Sequence, residues 1–260
     1  MHTLGVMLLA IDVGNTQIVV GVFDGEALVA DFRLHTDDRL TGEELGLLLV
    51  DLLQRRNIGA DAIDAVVVSS VVPTLSRTLE ELSQAYFSCE PMIVGPGIRT
   101  GVQIRVEDPR EVGADRIANA IAAHTLYGGP SILVDFGTAT TFDAIAANGD
   151  FLGGAIAPGI QISHDALVSR AARLGGVELT APPTAIGRST ITNMQSGIVF
   201  GYVGLVEGLV AHFKAEMGGG VKVIATGGLA PQMAPLIDVI DIVDERLTLT
   251  GLRLIHEQNV

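Results

Sequence analysis

The chain contains no tryptophan and one cysteine, Cys89, among its 260 residues. A single cysteine excludes an intrachain disulfide and indicates a reducing compartment, so we expect Cys89 to be a small buried apolar residue. Aromatic residues make up only 4% of the chain, although apolar residues make up 48%. Val, Ile, Leu and Ala supply most of this apolar content, which is typical of buried sheets covered by helices.

Basic residues are also few, because 16 Lys and Arg stand against 30 Asp and Glu, for a formal net charge of -14. Nucleic acids and anionic membranes favour clustered positive charge, so we predict neither as a partner. The first apolar run stops at Asp12 and has no basic region before it, which is too short for a membrane span. We therefore predict a cytoplasmic protein, whose patterned part begins near Met7.

Motifs of several enzyme classes are missing. The chain has no G-x-S-x-G motif, no G-x-G-x-x-G motif at a strand-to-helix turn and no Cys/His constellation. Its six histidines show no paired metal-ligand spacing: His2, His35, His124, His164, His212 and His256. These absences argue against acyl-transfer hydrolysis, a dinucleotide-dependent dehydrogenase and structural zinc.

An internal repeat organises the sequence. LLAIDVGNT-QIVVGVFDG near the start and ILVDFGTAT-TFDAIAANG about half the chain later share a buried strand, an acid-glycine break, a second strand and a turn. Each copy begins a β-β-β-α-β-α pattern, so we predict an α/β protein with two related domains facing each other across a cleft. We place the boundary near Gly128, giving domains 1–128 and 129–260, with a C-terminal helix from Thr250 that can pack on the first.

The polar breaks after the first strands suit phosphate binding. In Asp12-Val13-Gly14-Asn15-Thr16, glycine permits a positive φ and close approach of a ligand, and successive amides form an anion site. Asp12 would hold Mg²⁺ that bridges the phosphates. An ordinary polar hairpin is the alternative, but the second copy at Asp135-Phe136-Gly137-Thr138-Ala139 favours two loops on one polyphosphate.

A glycine pair, Gly227-Gly228, follows the late strand Val221 to Thr226. A pair of glycines leaves room for a flat base or a ribose, whereas the simpler interpretation is a helix-entry turn. Two phosphate loops and a late glycine pair together resemble the superfamily of acetate and sugar kinases, heat-shock ATPases and actin.

Within that superfamily the chain resembles the type III pantothenate kinases nearly end to end. DVGNT, SSVVP, PREVGADR, VDFGTATT, FLGGAIAPG, MQSG and ATGG occur in the expected order, and PREVGADR followed by DFGTA is the specific part. The resemblance implies two ribonuclease-H-like domains around a nucleotide cleft. It also implies ATP-dependent phosphorylation of pantothenate to 4′-phosphopantothenate, the first step toward coenzyme A.

The resemblance also assigns residues. It makes Asp115 the general base, although an acid that opens a helix is also favoured by the helix dipole. The other implied pantothenate contacts are Gly113, Ala114, Arg116 and Thr190, where Arg116 would pair with the substrate carboxylate and Thr190 could also cap a helix. The implied ATP contacts are Asp12, Val13, Gly14, Asn15, Thr16, Gln17, Ile18, Val19, Thr138, Gly227 and Gly228.

Asp135 matches the site of a monovalent cation, K⁺ or NH₄⁺, in relatives, whereas the residues alone also allow it to help Asp12 place Mg²⁺. Val106 departs from the family pattern, because many relatives have an aromatic residue there, and this affects the expected shape of the pantothenate pocket. Two alternative functions remain open. One is a kinase for another small hydroxyl substrate with a different base, and the other is a nucleotide-responsive regulatory protein.

The segment ITNMQSGIVFGYVGLVEGLVAHF is predicted to be a long helix. Its glycines fall three to four residues apart, at Gly197, Gly201, Gly204 and Gly208. Such spacing allows close helix approach, so the segment is either a buried core helix or part of a dimer interface. The resemblance implies a homodimer with the pantothenate site at the subunit interface.

Overall fold

The computed structural model describes residues 6–95, 97–171 and 174–260. The chain forms two compact units. The first unit takes the chain up to Gln103 together with Glu107–Ala122 and Arg246–Val260, and the second takes Ile104–Val106 and Ala123–Glu245. The domain boundary near Gly128 stays a prediction, and residues 1–5, before the expected start near Met7, lie outside the described part.

The first unit contains a five-stranded sheet in the order β3-β2-β1-β4-β5. Its strands are β1 Met7–Val13, β2 Gln17–Asp24, β3 Ala27–His35, β4 Ala65–Ser70 and β5 Met92–Ile93. β1 pairs antiparallel with β2 and parallel with β4. Because β1 lies in the centre, its residues Leu8 to Ile11 are almost completely buried, which explains their unbroken apolar run.

The second unit repeats this topology in a sheet of order β8-β7-β6-β9-β10. Its strands are β6 Ser131–Phe136, β7 Ala139–Ile145, β8 Phe151–Pro158, β9 Lys222–Thr226 and β10 Ile242–Val243. β6 is antiparallel to β7 and parallel to β9, as β1 is to β2 and β4. The predicted duplication of a mixed α/β unit is therefore confirmed.

Eight α-helices accompany the sheets in the described residues. They are α1 Gly42–Gln54, α2 Ser76–Phe87, α3 Ala114–Tyr127, α4 Ile160–Arg170, α5 Thr190–Gln195, α6 Gly201–Met217, α7 Ala230–Met233 and α8 Leu247–Glu257. The sequence predicted a helix from Pro158 to Leu174, but α4 begins after the β-region glycine Gly159 and ends at Arg170. Residues 172 and 173 of that predicted span lie outside the described part.

The start of α1 shows how local sequence sets an element. The Thr41 hydroxyl accepts a hydrogen bond from the Glu44 amide, and the Glu44 carboxylate accepts one from the Thr41 amide. This capping box satisfies two amides that the helix cannot pair by itself. Leu45, Leu49 and Leu53 then fall on one buried face against the first sheet.

The segment Thr190–Met217 runs as α5, a π-helical turn at Ser196–Phe200 and α6. By length and composition it could cross a membrane, with 22% of its most apolar window buried. Tyr202, Val206 and Val210 form its buried face on α6. Apart from the neighbouring residues and the backbone of the helix itself, no atom of the described residues lies within 4 Å of where a Cβ would stand on Gly197, Gly201, Gly204 or Gly208. The helix is therefore buried on one face and open along its glycines.

The C-terminal helix differs from its prediction. It was expected to start at Thr250-Gly251, but α8 begins at Leu247. Leu247, Leu249 and Leu252 are buried, and a side chain on Gly251 would collide with the backbone of Ala118 in α3. The apolar contacts of Leu247 and Leu249 within the first unit extend the helix by one turn.

Candidate active site

The first candidate phosphate loop joins β1 to β2 in the first unit. The Gly14 amide donates to the Gln17 carbonyl over 2.9 Å. Thr36, which directly follows β3, donates from its hydroxyl to the Gly14 carbonyl over 2.7 Å and from its amide to the Thr16 carbonyl over 3.0 Å. These bonds fix a tight turn and leave the side chains of Asn15 and Thr16 exposed.

Gly14 itself behaves differently from the prediction. Its φ lies outside the positive range, so the expected positive φ is wrong. A Cβ at this position would lie 3.2 Å from the Gln17 carbonyl oxygen. Glycine is thus favoured here by the closeness of the turn, because the loop folds back on its own backbone.

The segment that carries Asp115 lies at the same edge of the first sheet. The Val71 amide, just after β4, donates to the Val13 carbonyl over 3.0 Å. A Cβ on Gly113 would stand 3.9 Å from the Val71 side chain. The turn after β1 and the start of α3 therefore both adjoin the segment that follows β4. Parallel strands end together at such an edge, where ligands of open α/β sheets bind.

Asp115 occupies the first turn of α3, as the sequence predicted. Its Oδ1 atom is buried and accepts no hydrogen bond from the described residues. Burial raises the pKa of this carboxyl, and the amide and guanidinium of Arg116 oppose that rise. The result is a carboxylate that is poorly solvated and has one oxygen available to a new partner.

The second candidate loop joins β6 to β7 in the second unit. The Gly137 amide donates to the Ala139 carbonyl over 3.1 Å, as Gly14 does in the first unit. The Gly159 amide, just after β8, donates to the Thr138 carbonyl over 3.1 Å, in the place that Thr36 takes in the first copy. Gly137 and Thr138 are exposed, so this loop also presents polar groups outward.

Gly227 is packed directly against this loop. It has a φ of +92°, and a Cβ there would collide with Oδ1 of Asp135 and lie 2.7 Å from the Phe136 amide nitrogen. β9 pairs with β6 so that Thr226 is opposite Asp135. The second unit therefore brings together Asp135, Thr138 and the start of the glycine pair. Gly227-Gly228 also leads into the short helix α7, so the simpler interpretation, a turn at the entry of a helix, holds as well.

Thr190 is the first residue of α5, and Ser189 is the cap, because the Ser189 hydroxyl accepts from the Thr192 amide. The alternative that Thr190 caps this helix is wrong. Thr190 instead lines an open groove of about 390 Å³, together with Leu167, Met194 and Gly197. Its side chain is exposed and is thus accessible to a ligand.

The position of Val106 also has a defined environment. It lies in the short segment Ile104–Val106 of the second unit, where the Arg105 amide donates to the Phe151 carbonyl over 2.7 Å. A Cβ on Gly153 of β8 would be 3.8 Å from the Val106 side chain. The side chain that departs from the family pattern therefore packs beside β8.

Two residues that hold the loops were not predicted. Thr36 follows β3 and Gly159 follows β8, so both stand at the same point of the internal repeat. Aligning the two copies through their third strands would have located them. The remaining predicted ATP contacts lie in the expected elements, with Asp12 and Val13 at the end of β1 and Gln17, Ile18 and Val19 at the start of β2.

Within the described ranges, no three or more His, Cys, Asp or Glu side chains cluster closely enough to hold a metal ion. Cys89 is a free thiol, only partly buried, so the expectation of a buried residue holds in part. Burial raises the pKa of its thiol, which makes it a weak nucleophile at neutral pH.

Comparison with solved structures supports the fold. A Baf family transcriptional activator, described as putative, from Campylobacter jejuni matches with a TM-score of 0.63 at 21% identity over 96% of this chain and 98% of its own. Component A of the Acidaminococcus fermentans (R)-2-hydroxyglutaryl-CoA dehydratase matches with a TM-score of 0.58 at 14% identity, over 96% of this chain and 95% of its own. MreB 5 of Spiroplasma citri, bound to AMPPNP, matches with a TM-score of 0.54 at 12% identity over 96% of each chain. These likenesses confirm the predicted α/β fold with two ribonuclease-H-like domains.

Sequence comparison gives the family. The type III pantothenate kinase of Moorella thermoacetica is 53% identical over 97% of this chain and 100% of its own length. Those of Geobacter sulfurreducens and Myxococcus xanthus are 52% and 51% identical over 97% of this chain and 99% of theirs. The type III pantothenate kinase family model matches residues 8–212. Since relatives at this identity span the whole fold, the chain belongs to the type III pantothenate kinase family.

Proposed function

We propose that this enzyme transfers the γ-phosphoryl group of ATP to the primary hydroxyl of pantothenate, with Asp115 as the general base. Membership of the family supports the overall reaction. The observation that carries the role of Asp115 is its carboxylate at the start of α3, with a buried Oδ1 that has no hydrogen-bond partner among the described residues. Such an oxygen is available to accept the proton of a substrate hydroxyl.

Phosphoryl transfer proceeds through a loose transition state, so positioning and charge neutralisation supply most of the catalysis. The base accepts the proton late, as the new P–O bond forms and the bond to the leaving phosphate breaks. The raised pKa of Asp115 makes its carboxylate a better proton acceptor than an ordinary aspartate. Arg116, next in α3, would pair with the carboxylate of pantothenate, and Gly113, Ala114 and Thr190 complete the proposed contacts.

Each loop would contact the nucleotide through its own exposed residues. In each loop a glycine amide is already used within the turn, and the exposed polar residues Asn15, Thr16 and Thr138 would bind phosphate oxygens. Gly227 and Gly228 would border the base and ribose. The first loop supplies the whole segment Asp12 to Val19 to this site.

The chemistry of the loops fits hard cations. Asp12 and Asp135 stand at equivalent ends of β1 and β6, and carboxylate oxygens are the ligands that Mg²⁺ prefers. The described residues contain no larger acidic cluster, so oxygen atoms of the nucleotide would complete the coordination of either cation. We assign Mg²⁺ to Asp12 and a monovalent cation, K⁺ or NH₄⁺, to Asp135. A bound cation would neutralise charge on the transferred group.

We further propose a homodimer that buries the open glycine face of α5 and α6, with the pantothenate site at the interface. Gly197, Gly201, Gly204 and Gly208 have open space before them, and Ile191 on α5 is 59% exposed. An apolar helix face left open in a cytoplasmic protein needs a cover, and small residues let a second helix approach closely. Thr190 lies at the beginning of the same helical segment.

The decisive experiment incubates the purified protein with ATP, Mg²⁺ and pantothenate, in K⁺ and then in Na⁺, and detects 4′-phosphopantothenate by mass spectrometry. Product in K⁺ with little in Na⁺ supports both the reaction and the cation. Equal product in both salts overturns the proposed monovalent cation site and still supports the kinase reaction. No product in either, from protein that binds ATP, overturns the proposed substrate.

A further inference from the structure

Tyr202 contacts both ends of the second loop. Its hydroxyl is hydrogen-bonded to the hydroxyl of Thr140 at the start of β7. Its ring packs on Phe136 at the end of β6, with the ring centroids 6.3 Å apart. Phe136 and Thr140 are directly paired across the two strands, so they enclose the three loop residues 137–139. One side chain of α6 therefore fixes both points from which this loop leaves the sheet.

The start of α4 completes the clamp. The Gly159 amide donates a hydrogen bond to the Thr138 carbonyl over 3.1 Å. A side chain on Gly159 would collide with the Thr138 carbonyl oxygen. The loop is thus held between the N-terminus of α4 and the buried face of α6, where Tyr202 is hydrogen-bonded to Thr140.

The Tyr202 hydroxyl keeps its proton at neutral pH. Burial raises the pKa of Tyr202, and its contact with the Thr140 hydroxyl opposes that rise. A protonated hydroxyl has a proton to share with the Thr140 oxygen. Thr140 is fully buried, so its hydroxyl has no water as an alternative partner.

We propose that Tyr202 is a positioning residue for the nucleotide, whose hydroxyl holds the loop 137–139 in the conformation that binds phosphate. This inference rests on the proposed role of that loop in ATP binding. Tyr202 touches no reacting atom in this scheme, and it acts through Thr140 and Phe136. Because the opposite face of α6 carries the glycines Gly201, Gly204 and Gly208, the same helix links the proposed subunit contact to the phosphate loop.

The test is Tyr202→Phe, which keeps the ring on Phe136 and removes only the hydroxyl. The Thr140 hydroxyl then loses its partner in a buried place, so we expect the KM for ATP and the Kd for ATP titrated without pantothenate to rise about tenfold. The KM for pantothenate should stay unchanged. A residue that serves stability alone would not separate the two substrates in this way.

Matched variants control the interpretation. Thr140→Ser keeps the hydroxyl and should bind ATP like the wild type, whereas Thr140→Val should reproduce the loss. The double variant Tyr202→Phe/Thr140→Val should be no weaker than either single variant, because both remove one interaction. Tyr127→Phe removes another tyrosine hydroxyl bond, 2.8 Å to Asp244, and should leave ATP binding unchanged.

An unchanged Kd for ATP in folded Tyr202→Phe, or an equal loss for both substrates, overturns the inference. The inference is also overturned if the loss of ATP affinity in the double variant, as a free energy, equals the sum of the two single losses. If the wild type binds ATP but does not phosphorylate pantothenate, the proposed substrate fails, and the ATP titrations still decide the role of Tyr202.

Discussion

The Oδ1 atom of Asp115 lies so close to the Cα atom of Gly113 that any side chain at residue 113 would collide with it. The glycine thus provides the space that the proposed base occupies. Its own φ is not in the left-handed region, so this space, rather than backbone freedom, explains the residue. Gly113 therefore has a packing role beside the proposed base.

We predict that Gly113→Ala displaces the Asp115 carboxylate and lowers kcat, with little change in the Kd for ATP. A shift of the reacting groups by about 1 Å can cost about a hundredfold in rate. Steady-state kinetics and ATP titration measure the two effects. A matched control is Gly219→Ala, in which the added methyl group meets open space. This variant should keep the wild-type rate. Wild-type turnover in Gly113→Ala would contradict the packing argument.

We predict that Asp115→Asn folds, binds ATP and loses about a hundredfold or more in kcat, because it removes the proposed general base. It should also unfold at an equal or higher temperature at neutral pH. Burial raises the pKa of Asp115, so the folded state binds this proton more tightly than the unfolded chain. The ionised carboxylate therefore disfavours folding at any pH above the pKa of Asp115 in the unfolded chain. Asparagine removes that charge.

Thermal melts at several pH values check the stability part of that prediction. The difference between Asp115→Asn and the wild type should shrink as the pH falls below about 4, where the aspartate is protonated in both states. A melting temperature of Asp115→Asn clearly below that of the wild type at pH 7 would show that the carboxylate stabilises the fold, which is contrary to its burial.

The pH profile of the wild type should show an acidic limb. The base must be ionised, so kcat should fall as the pH drops through the pKa of Asp115, which burial places above its ordinary value. The Arg116 charge opposes that rise, so Arg116→Gln should move the limb to higher pH. The measurement is kcat against pH at saturating substrates. An acidic limb that is the same in both proteins would assign it to another group.

Gly227→Ala should weaken ATP binding by about tenfold or more. The substitution places a methyl group against Oδ1 of Asp135 and the Phe136 backbone at a φ of +92°, so both steric collision and backbone strain oppose it. ATP titration by calorimetry measures the effect. Gly220→Ala is the control, since its φ of +77° imposes similar strain in open space. A similar loss in both variants would show a general stability effect.

Gly204→Leu should convert the proposed dimer to a monomer. Beyond its own helix, the Cβ of the leucine meets no described atom within 4 Å. Leucine also favours a helix more than glycine does, so the isolated fold should be no less stable. Sedimentation or light scattering measures the mass. Gly219→Leu, outside α6 and also in open space, should not change it. A wild type that is monomeric at micromolar concentration would rule out this interface.

The duplicated fold was predictable because each buried strand ends in the same acid-glycine break. Strand bounds such as Ser131–Phe136 follow from apolar runs that polar residues interrupt. The start of α8 was not predictable, because Leu247 and Leu249 are helical through their burial in the first unit. The clamp of Tyr202 on Thr140 was also hidden, since it joins residues 62 positions apart.

At the site, the sequence placed Asp115 correctly in the first turn of α3, but the reason for Gly14 was wrong. A glycine in a polar turn suggests positive φ, whereas in the folded turn the Gln17 carbonyl oxygen occupies the space where a side chain would stand. Ser189 and Thr190 are equally good caps by composition, and backbone conformation alone decides between them.

The order in which the chain is made has a consequence for its maturation. The first unit includes Arg246–Val260, and α8 buries Leu247, Leu249 and Leu252. On the ribosome, all of residues 123–245 emerge before α8 can cover the first sheet. The second unit can therefore mature first, although domains usually fold from the N-terminus. Until then the part of the first sheet that α8 covers stays exposed to solvent.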